Sequence, residues 1–204
     1  MGKLIQRLSA SLFDVAMAPL ERWRLERLRR TLMSRARGTV LELGAGTGAN
    51  LPHYRSSQLS FLTLSDLDDR RLVLADRVQR WQPRLEDRWR VDQGSAETLP
   101  YPDDSFDTVV ATLLFCSVDC PPCGFDEIAR VLRPGGHYLF LEHVRPEPEG
   151  MARLFDLINP LWNGLSRGCN LNRDTVGAIR RGGLTIDQLH RDRNGVFVWG
   201  VARA

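Results

Sequence analysis

The chain has 204 residues, of which 43% are hydrophobic and 26% are charged. This length and composition are typical of one soluble domain with its own core, and they exclude a disordered tail protein, a fibrous repeat and a multi-pass membrane protein. Four cysteines are too few for a disulfide framework at this length, so we expect reduced thiols and a cytoplasmic protein.

The net charge of +3 is unevenly distributed along the chain. Residues 1–37 contain nine basic and three acidic side chains, whereas the rest of the chain contains 19 and 22. Such a basic segment is typical of a solvated helix face, a contact with an anionic membrane or a nucleic-acid contact. Because no nucleic-acid-binding module is recognisable and the main domain is acidic, we expect no nucleic-acid partner.

Apolar side chains recur at helical spacing within residues 1–37. Leu4, Leu8 and Leu12 form one stripe, and a second, arginine-rich stripe starts at Leu25. We expect two amphipathic helices that cap the domain. They either pack on it with their arginines in water or make peripheral contact with an anionic membrane. No apolar run reaches the roughly 18 residues that a membrane span needs, so no transmembrane helix is expected.

From Thr39 onward, short apolar runs alternate with helical segments. The pattern predicts strands at 39–43, 59–64, 88–92, 106–115, 137–144, 185–191 and 196–203, and helices at 69–81 and 124–132. Asp69 is the expected N-cap of the first helix, and residues 151–182 are expected to be helical with an interruption at Pro160. An Asn-Gly turn joins the last two strands. The sequence therefore predicts an α/β fold, a Rossmann-like doubly wound seven-stranded sheet that is mostly parallel and ends in an antiparallel hairpin.

Three glycines follow the first predicted strand, in the run from Glu42 to Gly48 (ELGAGTG). Glycine permits a tight turn and a close approach of a ligand, and open α/β sheets bind ligands at the carboxyl ends of their strands. The spacing G-x-G-x-G differs from the dinucleotide pattern G-x-G-x-x-G, and Glu42 would repel a diphosphate. A carboxylate at this position favours a ligand that carries an ammonium or sulfonium group.

Asp66 follows the second predicted strand, 22 residues after Gly44. A carboxylate at about this spacing accepts hydrogen bonds from the two hydroxyls of a ribose. We therefore expect Asp66 to bind the ribose of a nucleoside beside the glycine loop.

These motifs resemble those of the class I S-adenosylmethionine-dependent methyltransferases. The glycine run and Asp66 are followed by the segments 94–107 (GSAETLPYPDDSFD) and 130–136 (RVLRPGG), in the order and at the separations of that family. The resemblance covers residues 39–144. It implies S-adenosyl-L-methionine as the cofactor, S-adenosyl-L-homocysteine as the product, and the strand order 3-2-1-4-5-7-6.

The resemblance also implies which residues hold the cofactor. The three glycines would border the methionyl part, Glu42 would orient its ammonium group and Asp66 would bind the ribose. Ser95 stands where the family often has Asp for the adenine amino group, and it can hydrogen-bond there without a charge. The full predicted cofactor set is Glu42, Gly44, Ala45, Gly46, Gly48, Asp66, Leu67, Ser95, Ala96, Glu97 and Thr112.

Four further segments resemble the microsomal alkyl-thiol methyltransferases, namely 48–54 (GANLPHY), 116–118 (CSV), 142–144 (EHV) and 168–173 (GCNLNR). The same plan is similar to bacterial phosphatidylethanolamine N-methyltransferases and quinone C-methyltransferases. The microsomal enzymes carry a long apolar N-terminal anchor, which the short amphipathic segment here does not match. No Asn-Pro-Pro-Tyr motif follows the fourth predicted strand, which disfavours methylation of amino groups in nucleic-acid bases or glutamine.

The acceptor side of the site carries fewer signals. His143 lies at the carboxyl end of a predicted strand and is the candidate catalytic residue, which would accept a thiol proton or orient the acceptor; a structural histidine is the alternative. Asn170 and Arg173 fit either an acceptor pocket or a structural tie. The candidate pocket residues are Phe13, Cys116, Asn170 and Arg173. The single C-x-x-C of Cys120 and Cys123 is weak as a zinc motif, so no metal site is predicted.

Together the motifs predict methyl transfer from S-adenosylmethionine to a small or lipophilic acceptor, with a thiol favoured. A phosphatidylethanolamine or a quinone precursor is the enzymatic alternative, and a cofactor-binding regulatory module is the non-enzymatic one. We expect residues 1–37 to form a basic cap and residues 38–204 the methyltransferase domain, with 145–182 as an acceptor-side insertion. Packing of residues 1–37 on the domain is favoured, with peripheral contact at the inner membrane face as the alternative, and no obligatory protein partner is expected.

Overall fold

A computed structural model describes residues 25–166 and 168–204. Its helices are α1 (Glu26–Met33), α2 (Arg71–Trp81), α3 (Pro121–Val131), α4 (Glu149–Leu165) and α5 (Thr175–Arg181). Its strands are β1 (Gly38–Leu43), β2 (Leu59–Asp66), β3 (Trp89–Gln93), β4 (Phe106–Thr112), β5 (Leu132–His143), β6 (Thr185–Arg191) and β7 (Phe197–Arg203). Phe13 and the first predicted amphipathic stripe lie outside the described residues.

The seven strands form one sheet in the order β3-β2-β1-β4-β5-β7-β6. Strands β1 to β5 pair in parallel, and β7 pairs antiparallel with both β5 and β6. The predicted Rossmann-like sheet with a terminal antiparallel hairpin is therefore confirmed. The order reverses between β1 and β4, and the crevice at the carboxyl ends of such strands is where open α/β sheets bind ligands.

Both faces of the sheet are covered by apolar side chains. In β5, Tyr138 and Phe140 belong to a core shared with α3 and α5, whereas Leu139 and Leu141 belong to a core on the opposite face. Successive strand residues point to opposite faces, so a strand covered on both sides is apolar throughout. This explains why the central strands appear in the sequence as continuous apolar runs.

Helix α1 packs against the domain itself. Its residues Leu32 and Met33 are buried in the second core, together with Leu25 just before the helix. The described part of the basic segment is thus integral to the fold. Among the described residues, no helix is both long and apolar enough to cross a membrane.

Several predicted boundaries were wrong, among them the starts of β5 at Leu132 and of α3 at Pro121. Strand β4 ends at Thr112 because Leu113 adopts a positive φ of 55°, which turns the chain out of the sheet. Helix α2 begins at Arg71, so its N-cap is Arg70 and not the predicted Asp69. Asp69 lies one residue earlier and still accepts the backbone N–H of Arg71 at 3.2 Å.

The predicted interruption at Pro160 was also wrong, because α4 continues through it. Residues of the segment after α4 form hydrogen bonds with the helix on both sides of this proline. Asn159 and Asn163 both donate to the side-chain oxygen of Asn170, at 3.4 and 3.1 Å, and Asn159 accepts the backbone N–H of Leu171 at 2.7 Å. These contacts anchor the helix on both sides of Pro160.

Candidate active site

The glycine loop makes the predicted tight turn after β1. Gly44 and Gly48 have φ values of 62° and 79°, which side chains with a Cβ rarely adopt. A Cβ on Gly44 would lie 2.7 Å from Cδ1 of Leu114 in the loop after β4. The glycine therefore lets two ligand-side loops approach each other closely.

A cavity of about 210 Å³ opens beside this turn. Six residues of the predicted cofactor set line it: Gly44, Asp66, Leu67, Ser95, Ala96 and Glu97. Its other lining residues are Leu43, Ser65, Gly94, Leu114, Ser117, Val118 and Asp119. The remaining predicted residues, Glu42, Ala45, Gly46, Gly48 and Thr112, do not line this cavity, and several of them support its walls.

Asp66 is held in place by its own neighbourhood. The backbone N–H of Gly46 donates to Oδ2 at 2.8 Å and that of Asp68 donates to Oδ1 at 3.0 Å, while Nε of Arg70 lies 3.7 Å from Oδ1. A carboxylate oxygen has two lone pairs, so each oxygen keeps acceptor capacity. The side chain is therefore preorganised to accept two neighbouring hydroxyls, as the ribose prediction requires.

A buried polar cluster lies behind the glycine loop. Glu42 accepts the side-chain N–H of Asn50 at 2.9 Å and the hydroxyl of Tyr54 at 2.7 Å. Burial raises the pKa of Glu42, and the bonds from Tyr54 and Asn50 oppose this effect. Burial likewise raises the pKa of Tyr54. The cluster fixes the carboxylate that is predicted to orient the ammonium group.

Arg29 of α1 completes the cluster. Its Nη1 donates to Oδ1 of Asn50 and to Oγ1 of Thr112, each at 2.7 Å, and the side chain is only 5% exposed. The expectation that the arginines of this segment face water or lipid is wrong for Arg29. Sequence reasoning missed it because one buried arginine among many exposed ones leaves no pattern.

The far side of the cavity is built around Glu97. Oγ of Ser95 accepts the backbone N–H of Glu97 at 3.1 Å, and Glu97 in turn accepts the backbone N–H of Cys120 at the start of α3. Cys120 and Cys123 form a disulfide, so the expectation of reduced thiols was wrong for this pair. The C-x-x-C spacing at a helix start places their Cα atoms 5.4 Å apart, within the range that a disulfide needs.

The loop after β4 forms part of the cavity wall and is held by side chains from other parts of the chain. Oε1 of the buried Glu142 accepts the backbone N–H groups of Leu114 and Phe115, each at 3.1 Å. Asn170 donates to the carbonyl of Cys116 from its backbone at 2.8 Å and from its side chain at 3.2 Å. Arg173 donates to the carbonyls of Phe115 and Val118. Asn170 and Arg173 thus position this loop through its backbone.

His143 and two free cysteines meet at the carboxyl end of β5. Nε2 of His143 lies 2.8 Å from Sγ of Cys169, and the ligand atoms of His143, Cys116 and Cys169 all lie within 4.8 Å of one another. The hydrogen bond from Cys116, followed by that from His143, lowers the pKa of Cys169 to about 4. Burial is the largest single influence on His143 and lowers its pKa, but the hydrogen bond to Cys169 and the charges of Cys169 and Glu142 together outweigh burial, so the pKa of His143 is raised. Burial raises the pKa of Glu142 to about 7.

A seven-stranded sheet of this order, with a glycine turn after β1 and a carboxylate after β2, defines a Rossmann-like methyltransferase. Residues 41–140 match the family described as Methyltransferase domain. The chain is 33% identical to thiol S-methyltransferase TMT1B of Homo sapiens, and the match covers 91% of this chain and 80% of that protein. The chain therefore belongs to the S-adenosylmethionine-dependent methyltransferases and is an enzyme of this class.

Other relatives show how much of the chain the similarity covers. The match to the protein of the same name from Rattus norvegicus, 34% identical, covers 74% of this chain and 62% of that protein. A phosphatidylethanolamine N-methyltransferase of Cereibacter sphaeroides is 39% identical over 115 residues, which cover 56% of this chain and 55% of that protein. The S-adenosylmethionine-dependent methyltransferase of Mesorhizobium loti has the same fold, with a TM-score of 0.64 at 20% identity over 87% of this chain and 96% of that one.

The residues present fit the cofactor of this family. A Cβ at Gly44 would narrow the turn beside the cavity, and Asp66 keeps a lone pair on each oxygen for a ribose. When bound, S-adenosylmethionine supplies an electrophilic methyl group. Asp66 would hold the ribose, and residues 95–97 would hold the adenine. Both assignments remain predictions.

Proposed function

We propose that the enzyme transfers the methyl group to the sulfur of a small or lipophilic thiol. The observation that carries the proposal is the contact of 2.8 Å between Nε2 of His143 and Sγ of Cys169, which places an imidazole next to a sulfur at the carboxyl end of β5. The name of the human relative, thiol S-methyltransferase, supports the same acceptor class.

The reaction depends mainly on how the chain positions the cofactor and the acceptor. The acceptor sulfur loses its proton, one of its lone pairs forms the bond to the methyl carbon, and the bond from that carbon to the sulfonium breaks. Asp66 and residues 95–97 orient the cofactor, and the pair of His143 and Cys169 borders the position of the acceptor sulfur. The loop 113–118 contributes Leu114, Ser117 and Val118 to the wall of the cavity, so it helps to position the two reactants.

The outer face of α4 supports a lipophilic acceptor. Leu154, Leu157 and Leu161 recur at helical spacing and are 53%, 78% and 71% exposed. The opposite side of the same helix holds Asn170 through Asn159 and Asn163. One side of α4 is thus an exposed apolar surface, and its other side contacts Asn170, which positions the loop 113–118. Apolar molecules partition onto such surfaces.

A phosphatidylethanolamine is the second acceptor that the relatives suggest. A further cavity of about 310 Å³ contains Arg145, Arg173 and Arg191, which could attract a phosphate. Each of these arginines is already engaged, Arg145 by Asp156, Arg173 by two carbonyls and Arg191 by Glu147. This arrangement argues for the thiol over the phospholipid.

The test is a methyl-transfer assay with radiolabelled S-adenosylmethionine and three acceptors in parallel, an alkyl thiol, a phosphatidylethanolamine in vesicles and a quinone precursor. We expect labelled thioether from the thiol and background counts from the other two. The alcohol of the same chain length is the matched negative control. Transfer to the phospholipid or the quinone precursor, with none to the thiol, would reject the proposal.

A further inference from the structure

We infer that Cys116, His143 and Cys169 bind a zinc ion whose fourth position accepts the acceptor thiol as a thiolate. The three residues come from separate parts of the chain, the loop after β4, the end of β5 and the segment after α4. Their ligand atoms nevertheless lie within 4.8 Å of one another. The metal assignment stands on this geometry, and only the role of the fourth position rests on the proposed thiol acceptor.

The spacing of the ligand atoms is close to that of a zinc site. Zinc binds Cys sulfur at about 2.3 Å and His nitrogen at about 2.0–2.1 Å in a tetrahedron, so neighbouring ligand atoms lie about 3.5–3.8 Å apart. Nε2 of His143 and Sγ of Cys169, now 2.8 Å apart, would separate by about 0.7 Å to admit the ion, and the other two pairs of ligand atoms lie within 4.8 Å.

The loops that carry the two cysteines are tied to each other. Asn170, the neighbour of Cys169, donates to the carbonyl of Cys116 from both its backbone and its side chain. Glu142, the neighbour of His143, holds the backbone at Leu114 and Phe115. The same contacts that shape the acceptor side therefore preorganise all three ligands, as a metal site requires.

The electrostatics of the region also fit a cation. Two thiolates and a neutral imidazole balance the charge of Zn²⁺, which makes a neutral centre in a largely buried place. The side chain of Glu142 is fully buried, and its Oε2 has no hydrogen-bond partner among the described residues. Because the zinc centre is neutral, it adds no net charge beside this carboxylate.

Three protein ligands leave one position of a tetrahedral zinc site open, which is the arrangement of catalytic zinc sites, including those with two Cys and one His. A thiol that coordinates zinc is deprotonated, and its proton leaves to solvent. The bound sulfur then uses a second lone pair to form the bond to the methyl carbon. The bond from that carbon to the sulfonium breaks, and its electron pair stays on the departing thioether, so no oxidant or reductant is needed.

The first experiment measures zinc. Protein treated with a chelator is titrated with Zn²⁺ against a competing indicator and then analysed for metal content. The variants are Cys116→Ser, His143→Gln and Cys169→Ser, and the matched control is the Cys120→Ser/Cys123→Ser double variant, which removes the other two sulfurs. S-adenosylmethionine calorimetry on each variant reports whether the cofactor half still folds.

We expect one zinc per chain in the wild type and in the control. Each ligand variant should lose more affinity than the roughly 10- to 100-fold that the loss of an outer-shell residue costs, with cofactor binding retained. The absence of stoichiometric zinc in the wild type would overturn the inference. So would zinc that is retained in all three ligand variants or lost in the control.

The second experiment tests the open position. Cobalt(II) replaces zinc and gives visible absorption that reports on its ligands, so an alkyl thiol should change the spectrum of the wild type and the matching alcohol should not. An unchanged spectrum would overturn the role of the fourth position. Thiol methylation at full rate by metal-free enzyme would also overturn it while the proposed function stands, whereas bound zinc without any thiol methylation would reject the proposed function alone.

Discussion

Arg29 is the residue whose replacement most directly tests the buried cluster. In Arg29→Met the apolar stem is kept, and two hydrogen bonds of 2.7 Å from the guanidinium to Asn50 and Thr112 are lost. The change also removes the cation that stabilises the charged form of Glu42. Removing one partner of a buried charged group costs about 3–5 kcal/mol, and we expect a loss of stability of this size.

The loss should depend on pH in a defined direction. The pKa of Glu42 is already raised in the folded state by burial, and removing Arg29 raises it further. The folded state then binds more protons than the unfolded state between the unfolded pKa of this glutamate and its folded one, so stability falls as pH rises through that window. The deficit of Arg29→Met should therefore be larger at pH 8 than at pH 5.

Urea unfolding of the wild type and the variant at both pH values measures this difference. Arg30→Met is the matched control, because Arg30 is exposed and pairs only with Glu26 across one helical turn, among the contacts that the structure describes. Such a surface pair is worth roughly 0–1 kcal/mol. Equal losses in the two variants, or a deficit at Arg29 that does not change with pH, would refute the cluster as the source of the stability.

Three further predictions test other parts of the structure. Asp66→Ala should weaken S-adenosylmethionine binding about 100-fold through two lost charged hydrogen bonds, whereas Asp68→Ala should leave it nearly unchanged; equal affinities in calorimetry would reject the ribose assignment. Gly48→Ala should lower stability by about 1–3 kcal/mol, because φ is 79° and the new Cβ would lie 2.7 Å from Cδ1 of Leu51; an unchanged melting temperature would contradict this. Tyr138→Phe should raise stability by about 1–2 kcal/mol, since the buried hydroxyl has no hydrogen-bond partner among the described residues; a lower urea midpoint would show that it has one.

The cofactor half of the site could be predicted because its signals are local. The turn that Gly44 and Gly48 allow follows a strand directly, and Asp66 ends the next strand, so strand order alone brings these residues together. The interaction of Asp66 with the backbone of Gly46 spans only 20 residues and involves a main-chain donor. A pattern of residue types at fixed spacing is sufficient for geometry of this kind.

Arg29 and Thr112 show what such patterns leave out. They are 83 residues apart and meet through one side-chain hydrogen bond. Helix α1 carries both exposed and buried arginines, and which of them turns inward depends on how the helix packs on β5 and on the loop after the glycines. Neither spacing nor composition contains that information, so the basic segment indicated a surface where the structure has a buried contact.

The same limit explains why the acceptor half was harder to predict. The loop with Cys116 is held by two side chains from other parts of the chain, Glu142 on β5 and Arg173 after α4. Both of them form these hydrogen bonds with main-chain groups of the loop. Substitution of the exposed Ser117 should therefore leave the path of the loop intact, whereas Phe115 is fully buried and stacks on Phe125. Glu142 itself cannot vary in this way, because without its carboxylate two buried N–H groups would lose their acceptor.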